Sequence, residues 1–377
     1  MGQVLFFNEK TSDYPNNAAP SAIREVDGKL FFGKSALQMS GGELNGSLKV
    51  DLFKAADLSE NERLDVSVRV ASYLGWTLSR LRELYPEIKD DTVVIQISAP
   101  TSHAGPAELS QRYNIIANAI YVAVIEQGQF IKQGLPLEDA YRLFAPLLKQ
   151  PLPDAGERLF FVMPETVAPV VSLQQEPYLN PGNYLIADMG ASTTEMSLFF
   201  VRDKDGSVFD GNVLCYVDDT QLCGGIDLAN IRKSPINEHE RLLADFQKSV
   251  EEQACTVWAR GYRIDMRNTA THDRWKKLQI LLTGGGTLDP IVADHFSHSI
   301  SPIYPWPMSE TKKHVARHAP STLSCERCKE VDLSLFAVAN GLAIERNKWP
   351  RFYDDPPVMS GQDSQDDDSP PSYLQIV

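Results

Sequence analysis

The chain has 377 residues, and its 36 lysines and arginines are outnumbered by 50 aspartates and glutamates, which gives a formal net charge of −14. An acidic chain attracts phosphate backbones and anionic lipid poorly, so the charge argues against nucleic acid and membranes as partners. The composition, 43% hydrophobic and 23% charged, is typical of a soluble globular protein. A single hydrophobic core stops growing below this length, so two lobes are expected.

The ends and the cysteines predict a cytoplasmic location. The sequence MGQVLFFNEK has no basic region followed by an apolar one, and Phe6 stands where a myristoylation motif needs Ser or Thr. No apolar run approaches the ~20 residues that span a bilayer. Five cysteines are too sparse for a disulfide scaffold.

Strands and helices alternate in the first half. The sequence predicts strands in QVLFF, in TVVIQISAP and in RLFFVMPE, and a hairpin in SAIREVDGKLFFG that turns at Asp27-Gly28. Apolar residues at three- and four-residue spacings predict a long helix within Asp57 to Glu87, and AELSQRYNIIANAIYVAVIEQ predicts a second helix. TVAPVVSL predicts a further helix or a turn. The proline-punctuated segment from Gly128 to Arg158 has no clear assignment.

The segment EPYLNPGN is the predicted lobe boundary, with residues 1–178 in the first lobe and 179–347 in the second. NYLIADM, TTEMSLFFV, GNVLCYVDD and KLQILLT predict strands, RDKDGS predicts a hairpin turn, and Glu238 to Arg260 predicts a helix. Residues 348–377 are acidic and rich in Pro and Ser, so a disordered tail is expected. The pattern predicts an α/β protein with two lobes.

Three turns of small residues in the second lobe are candidates for an anion site. They are Gly190-Ala191-Ser192-Thr193, Gly224-Gly225 and Gly284-Gly285-Gly286. Small residues let backbone N–H groups converge on a phosphate, and the second and third turns precede predicted helices, whose amino termini favour anions. Asp188 ends the strand before the first turn, where it could hold a hydrated Mg²⁺. A plain hairpin is the alternative for this first turn.

The order and the residue sequences of these turns resemble those of the seventy-kilodalton heat-shock (DnaK-type) chaperones of the actin-like ATPase superfamily. IADMGASTTEMSL resembles their second phosphate motif, DDTQLCGGIDLANI their Asp-Thr-x-Leu-Gly-Gly segment, and LLTGGGTLDPIV their adenosine motif. Weaker similarities in APSAIREVDGKLFFGKSAL, VVIQISAP, PETVAP and FAVANGLAIE extend the match, in order, over nearly the whole folded chain. The resemblance implies a two-lobed actin-like ATPase (ribonuclease H-like) α/β fold with reduced peripheral subdomains.

The resemblance also implies ATP or ADP with Mg²⁺ as the cofactor. It implies that Asp188 orients Mg²⁺ and its waters, that Glu165 helps to hold a metal-bound water, and that Lys49 lies near the γ-phosphate. A surface lysine is the alternative for Lys49. The turn of residues 190–193 is expected to face the phosphates, residues 284–286 are expected to pass beside the nucleoside, and residues 224–225 belong to the same cofactor site.

The sequence departs from the family in several places. It has no Asp-x-Gly-Thr-Thr motif, the stretch between Gly225 and Gly284 is short, and Leu288 replaces the arginine that packs on the base. We therefore expect weak or absent nucleotide binding and slow hydrolysis, because phosphoryl transfer depends on positioning and electrostatics. No β-sandwich domain for peptide clients follows, so the usual refolding cycle is not expected.

Two functions remain open at this point. The first is a nucleotide-binding relative that acts through protein partners, as a chaperone-like or regulatory subunit. The second is a pseudo-ATPase scaffold that binds no nucleotide. A filament-forming actin relative has no feature in its favour beyond the fold.

An insertion at about residues 297–330 contains His314-x₃-His318 and Cys325-x₂-Cys328. Histidines one helical turn apart share a face, and a Cys-x₂-Cys turn converges two sulfurs, so these residues predict a structural Zn²⁺ site. A flexible polar loop is the alternative. SPIYPWPM in the same insertion suits either an exposed ridge for a protein partner or a packed loop.

Overall fold

The computed structural model of the protein describes residues 2–3, 20–86, 93–99, 106–154, 156–165, 167–173, 182–201, 213–265, 275, 277–298, 312–317, 321, 323–324, 336–344 and 352–353. These residues form mixed α/β structure, which confirms the predicted class. Strand β1 (Gly2–Gln3) comes first in the chain. Most of the other described residues fall into two compact units, an N-terminal unit of residues 20–99 and 106–163 and a C-terminal unit of residues 164–353. Among the helices described, none has both the length and the apolar character that a bilayer crossing requires.

Two sheets belong to the N-terminal unit. The larger is antiparallel in the order β4-β2-β3-β6, with β2 at Ile23–Val26, β3 at Lys29–Phe32, β4 at Glu43–Asn45 and β6 at Leu135–Pro136. The smaller pairs β5 (Ile95–Ala99) with β7 (Phe160–Pro164). Asp27 and Gly28 connect β2 to β3 with φ values of 50° and 69°, so the predicted hairpin is confirmed.

The helices of the N-terminal unit are α1 (Gly33–Gln38), α2 (Leu48–Lys54), α3 (Glu60–Leu84), α4 (Pro106–Ile120) and α5 (Leu137–Leu147). A 3₁₀ turn at Ala55–Asp57 follows α2, and a π-helical turn at Tyr121–Glu126 extends α4. Helix α3 begins at a capping box, because the Ser59 N–H donates to the Glu62 carboxylate (2.9 Å) and the Glu62 N–H donates to Ser59 Oγ (3.4 Å). The predicted long helix is therefore confirmed.

Helix α5 forms in the segment that the sequence left without an assignment. Ala140, Phe144 and Leu147 are buried and recur at three- and four-residue spacings, so one face of α5 joins the core with α3 and α4. Pro136 is the N-cap residue, where proline is tolerated, whereas Pro146 lies inside the last turn and removes one helical hydrogen bond. Packing of this face stabilises the helix despite Pro146.

The C-terminal unit contains a six-stranded sheet in the order β12-β11-β8-β9-β10-β14. The strands β8, β9 and β10 are antiparallel neighbours, whereas β8, β11 and β12 are parallel. The bounds are β8 Gly182–Met189, β9 Thr194–Val201, β10 Val213–Gln221, β11 Lys277–Thr283, β12 Lys312–Arg317 and β14 Phe352–Tyr353, with the short β13 at Leu323–Ser324. Since β8 and β11 run in parallel, their carboxyl ends and the turns that follow lie at the same edge of the sheet.

Helices of the C-terminal unit are α6 (Ala168–Leu173), α7 (Gly225–Lys233), α8 (Ile236–Asp265), α9 (Pro290–His298) and α10 (Ala337–Leu342), with a 3₁₀ turn at Gly285–Leu288. Leu185, Met196 and Leu198 of the sheet share a core with α7, α8 and α9. On the opposite face, Tyr184, Ile186 and Phe199 pack with α6. Each face of the sheet is thus covered by helix, as expected for an α/β unit.

Some sequence predictions lie outside the described residues. These are the proposed boundary near residue 178, the RDKDGS turn, the acidic tail beyond residue 353 and most of the insertion at 297–330. In the structure, α6 packs with the sheet of the C-terminal unit, and the division between the units falls at Met163 and Pro164.

Candidate functional site

The first small-residue turn joins β8 to β9. The Gly190 N–H donates to the Thr193 carbonyl (2.9 Å), which closes the turn, and Thr193 is buried. Ala191 at its tip is exposed, and Ser192 is half-buried. Within the part of the chain that the structure describes, the N–H groups of Ala191 and Ser192 have no acceptor. These two neighbouring donors are available to an external anion.

The second turn, Gly224-Gly225, lies directly on the first. The Gly225 N–H donates to the Gly190 carbonyl (2.9 Å), and the Ile226 N–H donates to the Ala191 carbonyl (2.8 Å). A Cβ on Gly224 would stand 2.8 Å from the Ala191 carbonyl oxygen and 2.9 Å from that of Gly190. Glycine is required at position 224 because the two backbones approach too closely for a side chain.

The third turn, Gly284 to Gly286, completes the junction. Gly284 has a φ of 81°, and a Cβ there would press on Asp188 Oδ1 and on the Met189 carbonyl. A Cβ on Gly286 would meet the Met189 side chain, and one on Gly225 would lie only 3.5 Å from the Gly286 Cα. The structure therefore brings the three predicted turns into mutual contact at the carboxyl ends of β8 and β11. We call this arrangement the glycine junction.

Two buried carboxylates stand beside the glycine junction. Asp188 is 7% exposed and accepts a hydrogen bond from Thr283 Oγ1 (3.1 Å). Glu195 is 1% exposed and is the direct register partner of Asp188 across β8 and β9. Like charges at opposed positions of two strands repel, so this pair favours a bound cation or a proton between them. Oxygen ligands of this kind suit Mg²⁺.

Glu195 is a residue that the sequence analysis did not include in the site. Asp188 and Glu195 flank a closed hairpin turn, and in an antiparallel pair residues equally far from such a turn face each other. The equal distance of Asp188 and Glu195 from the turn is the sequence signal that could have identified Glu195. Its use requires the pairing register of β8 and β9, which the small residues of the turn do not reveal.

The helix amino termini at the glycine junction bind the chain's own oxygens. Asp227 Oδ2 accepts from the Gly224 N–H (2.8 Å) at the start of α7, and Asp289 Oδ1 accepts from the Ile291 N–H (3.0 Å) at the start of α9. The next two α7 donors are bonded to the first turn, as described above. The N–H groups on which the predicted anion preference of these helices rested thus hold the turns together or are capped by carboxylates.

An ion pair links the end of α7 to the start of α9. Arg232, in the last turn of α7, lies 2.6 Å from the Asp289 carboxylate that caps α9. The Asp289 side chain is 11% exposed, so the pair is partly shielded from water. The sequence analysis did not identify this contact, because the two residues are far apart in the chain.

Helix α8 and Cys223 make hydrogen bonds with the strands next to the glycine junction. Gln253 Nε2 donates to the carbonyls of Thr194 (3.1 Å) and Asp219 (3.0 Å), which ties α8 to β9 and β10. Thr194 Oγ1 donates to the Cys223 carbonyl (2.7 Å) next to the second turn. Burial raises the pKa of the Cys223 thiol, so the sulfur is protonated at neutral pH and is a poor nucleophile.

Glu165 and Lys49 occupy different units. Glu165 is half-buried in the turn between β7 and α6. Helix α6 packs on the sheet face that carries Ile186, and Asp188, two residues further along β8, points to that same face. Lys49 is half-buried in α2 of the N-terminal unit.

The predicted zinc ligands fall almost entirely outside the described residues. His318, Cys325 and Cys328 are not described, and the backbone of His314 lies in strand β12, paired with Gln279 of β11. The helical spacing expected from His314 is therefore wrong over residues 312–317, because pairing with β11 extends this segment. Among the residues that are described, no group of three or more potential metal ligands occurs.

In comparisons with known proteins, no family model and no curated protein matches this chain, so its site is argued from geometry.

Proposed function

We propose that the chain is a divergent DnaK-like protein whose C-terminal unit binds ATP or ADP with Mg²⁺ at the glycine junction. It acts through protein partners, as a chaperone-like or regulatory subunit. The observation that carries this proposal is the contact of three turns, distant in sequence, beside the buried Asp188. A hairpin that served only to connect two strands would not require glycine at the two other turns.

The sheet supports the actin-like part of the proposal. Strand β8 has an antiparallel hairpin on one side and two parallel strands on the other, in the order β12-β11-β8-β9-β10. This mixed arrangement agrees with the ribonuclease H-like core that the sequence resemblance implies. The candidate site also lies beyond the carboxyl ends of parallel strands, which is where open α/β sheets bind ligands.

Each part of the junction has a proposed task. The N–H groups of Ala191 and Ser192 donate to phosphate oxygens, and the exposure of Ala191 at the tip of the turn leaves room for the ligand. Asp188 and Glu195 hold Mg²⁺, with Thr283 orienting the Asp188 carboxylate. The metal, when bound, neutralises phosphate charge. Gly285, the exposed residue of the third turn, lies beside the nucleoside.

Binding is expected to be weak and hydrolysis slow or absent. Few donors remain for phosphate, since the amino-terminal N–H groups of α7 are bonded to the first turn and to Asp227. In phosphoryl transfer, the loss of one preorganised donor can cost about 10²–10³ in rate.

The same hydrogen bonds favour a second candidate function, a pseudo-ATPase scaffold that binds no nucleotide. Asp227 and Asp289 place negative charge at the amino termini of α7 and α9, where an anion would otherwise bind. In this alternative, the glycines serve only to pack the turns together, and the body of the protein serves as an interaction module.

Thermal unfolding with and without nucleotide separates the two functions. Mg-ATP or Mg-ADP at 100 times its Kd should stabilise the wild-type protein by about 2.7 kcal/mol. The shift should disappear in Asp188→Ala and on chelation of Mg²⁺. It should persist in the matched control Asp245→Ala, whose side chain is exposed on α8. No shift for the wild type at millimolar nucleotide would establish the scaffold alternative instead.

A further inference from the structure

A groove in the N-terminal unit has a volume of about 530 Å³, in the range of small-molecule sites. It lies between the start of α1, helix α3 and the segment of residues 130–133, and we call it the α3 groove. None of the residues of the glycine junction takes part in it. Its lining includes Phe32, Lys34, Trp76, Arg80, Phe130 and Lys132.

The floor of the α3 groove is flat and aromatic. Phe32 is fully buried and stacks on Trp76, with ring centroids 5.6 Å apart and an interplanar angle of 22°. A Cβ on Gly33 would stand 2.7 Å from the Trp76 ring, so glycine keeps this ring in place. The Phe130 ring is 44% exposed at the side of the groove. Since Trp76 is only 7% exposed, a planar apolar group bound here would cover and stack on the exposed Phe130 ring above all.

The wall beside Phe130 is rigidly held. Gln133 Oε1 accepts from the Phe32 N–H (2.8 Å), and Gln133 Nε2 donates to the Phe32 carbonyl (3.0 Å). The Ile131 N–H donates to Ser79 Oγ of α3 (3.0 Å). Because both hydrogen bonds of the Gln133 amide are committed to β3, the segment does not need to reorganise to receive a ligand.

Positive charge surrounds the aromatic floor. Three cations (Lys34, Arg80 and Lys132) and one carboxylate (Glu83) line the groove, which leaves a surplus of two positive charges. Arg80 donates to Glu83, so this pair is internally neutralised. Lys132 Nζ lies 5.7 Å from the centroid of the Phe130 ring. Within the described part of the chain, neither Lys34 nor Lys132 has a carboxylate partner.

We propose that the α3 groove binds a small organic anion that carries a flat apolar ring. The ring lies against the exposed Phe130, on the side of the groove that Trp76 also lines, and the anionic group lies near Lys34 and Lys132. This local positive surplus contrasts with the net charge of −14 on the whole chain. The proposal is independent of nucleotide binding, since it concerns a different unit of the protein.

Calorimetric titration of the full chain with 1-naphthyl phosphate tests the proposal. Saturable binding with a Kd below about 1 mM is expected. Inorganic phosphate, which lacks the ring, and 1-naphthol, which lacks the charge, should each bind at least about tenfold more weakly, since each removes one of the two contributions. Equal affinity of inorganic phosphate and 1-naphthyl phosphate would overturn the role of the aromatic floor.

Substitutions in the lining of the α3 groove test whether 1-naphthyl phosphate binds there. Lys34→Glu/Lys132→Glu should weaken 1-naphthyl phosphate binding by at least about tenfold, because two attractions become repulsions. The control Lys29→Glu/Lys149→Glu changes the net charge equally at exposed positions of the same unit and should stay within about twofold of wild type. Phe130→Ala, at an exposed ring, should weaken binding with the fold intact. Asp188→Ala should bind like wild type. Loss of binding in Asp188→Ala, or equal affinity in the two charge-reversal variants, would overturn the proposal.

Discussion

The glycine junction and the α3 groove present two different kinds of polar surface. In the junction, backbone donors and buried carboxylates carry the chemistry, and glycines allow three backbones to meet. In the groove, the side chains of Lys34 and Lys132 carry it, beside aromatic rings. The junction should therefore be sensitive to single methyl groups, whereas the groove should be sensitive to charge.

The largest effect is expected for Gly284→Ala. Its φ of 81° strains any other residue by roughly 1–2 kcal/mol, and its Cβ would press on Asp188 and Met189, which adds roughly 1–3 kcal/mol. Gly41→Ala is the matched control, because its φ is 79° and nothing lies within 4 Å of the added Cβ. Urea unfolding followed by tryptophan fluorescence should show a clearly larger loss for Gly284→Ala. Equal losses of unfolding free energy for the two variants would mean that Gly284 does not approach Asp188 and Met189 as closely as described.

Adjacent glycines provide the second test. Gly224 has an extended backbone that any residue can adopt, so Gly224→Ala isolates the contact with the Ala191 and Gly190 carbonyls and should destabilise by about 2 kcal/mol. Gly225→Ala is the control, since its Cβ would make ordinary contacts from 3.4 Å. The free energy of unfolding of Gly225→Ala should match that of wild type. A larger loss of unfolding free energy for Gly225→Ala than for Gly224→Ala would contradict the close approach of the first and second turns.

Local signals in the sequence predicted the elements that local interactions determine. The Ser59 capping box and the Asp27-Gly28 turn are of this kind, and both α3 and the β2–β3 hairpin were predicted correctly. Helix α5 was not predicted, because burial of Phe144 outweighs the surrounding prolines. Strand β12 was missed for a similar reason, since pairing with β11 is a long-range interaction.

The candidate site likewise combines features that the sequence predicted and features that depend on long-range contacts. Small residues revealed the three turns, but the opposition of Asp188 to Glu195 depends on strand register, and the ion pair of Arg232 with Asp289 depends on packing. The carboxylates at the helix starts were readable in advance. Gly-Gly-Ile-Asp places Asp227 in the first turn of α7, and Asp289-Pro290 is a standard helix start with an acidic cap. Their significance for anion binding could be judged only from the hydrogen bonds.

The third prediction concerns the buried carboxylate pair. Asp188→Asn keeps an oxygen for Thr283 and removes the repulsion with Glu195, so it should raise the metal-free stability by up to about 1 kcal/mol. Asp245→Asn, at an exposed site, should have no such effect. Thermal unfolding in the presence of a chelator provides the measurement. A marked destabilisation by Asp188→Asn would show that the carboxylate is satisfied by the protein alone.

The smallest effect is expected in the N-terminal unit, where a rise in pH should remove the stabilisation that the Tyr141 hydroxyl provides. Burial, together with the hydrogen bond from its hydroxyl to Asp65 (2.6 Å), raises the pKa of Tyr141 from 10.0 to about 12. This hydroxyl stabilises the fold fully below pH 10, and that stabilisation is lost as the pH rises towards 12. Absorbance titration at 295 nm should lose one late-titrating tyrosine in Tyr141→Phe relative to wild type. Unfolding at pH 8 and pH 11 should show a smaller pH dependence for the variant. Identical titrations of the two proteins would contradict this environment for Tyr141.

Hydrogen exchange at the first turn tests the central claim most directly. Ala191 and Ser192 supply the two amide protons proposed to donate to phosphate, and Ala191 is exposed at the tip of the turn. Exchange followed by mass spectrometry on a peptide that spans these residues should slow when Mg-ADP is added to wild type, and should not change in Asp188→Ala. Unchanged exchange in the wild type at saturating Mg-ADP would contradict phosphate binding at the glycine junction.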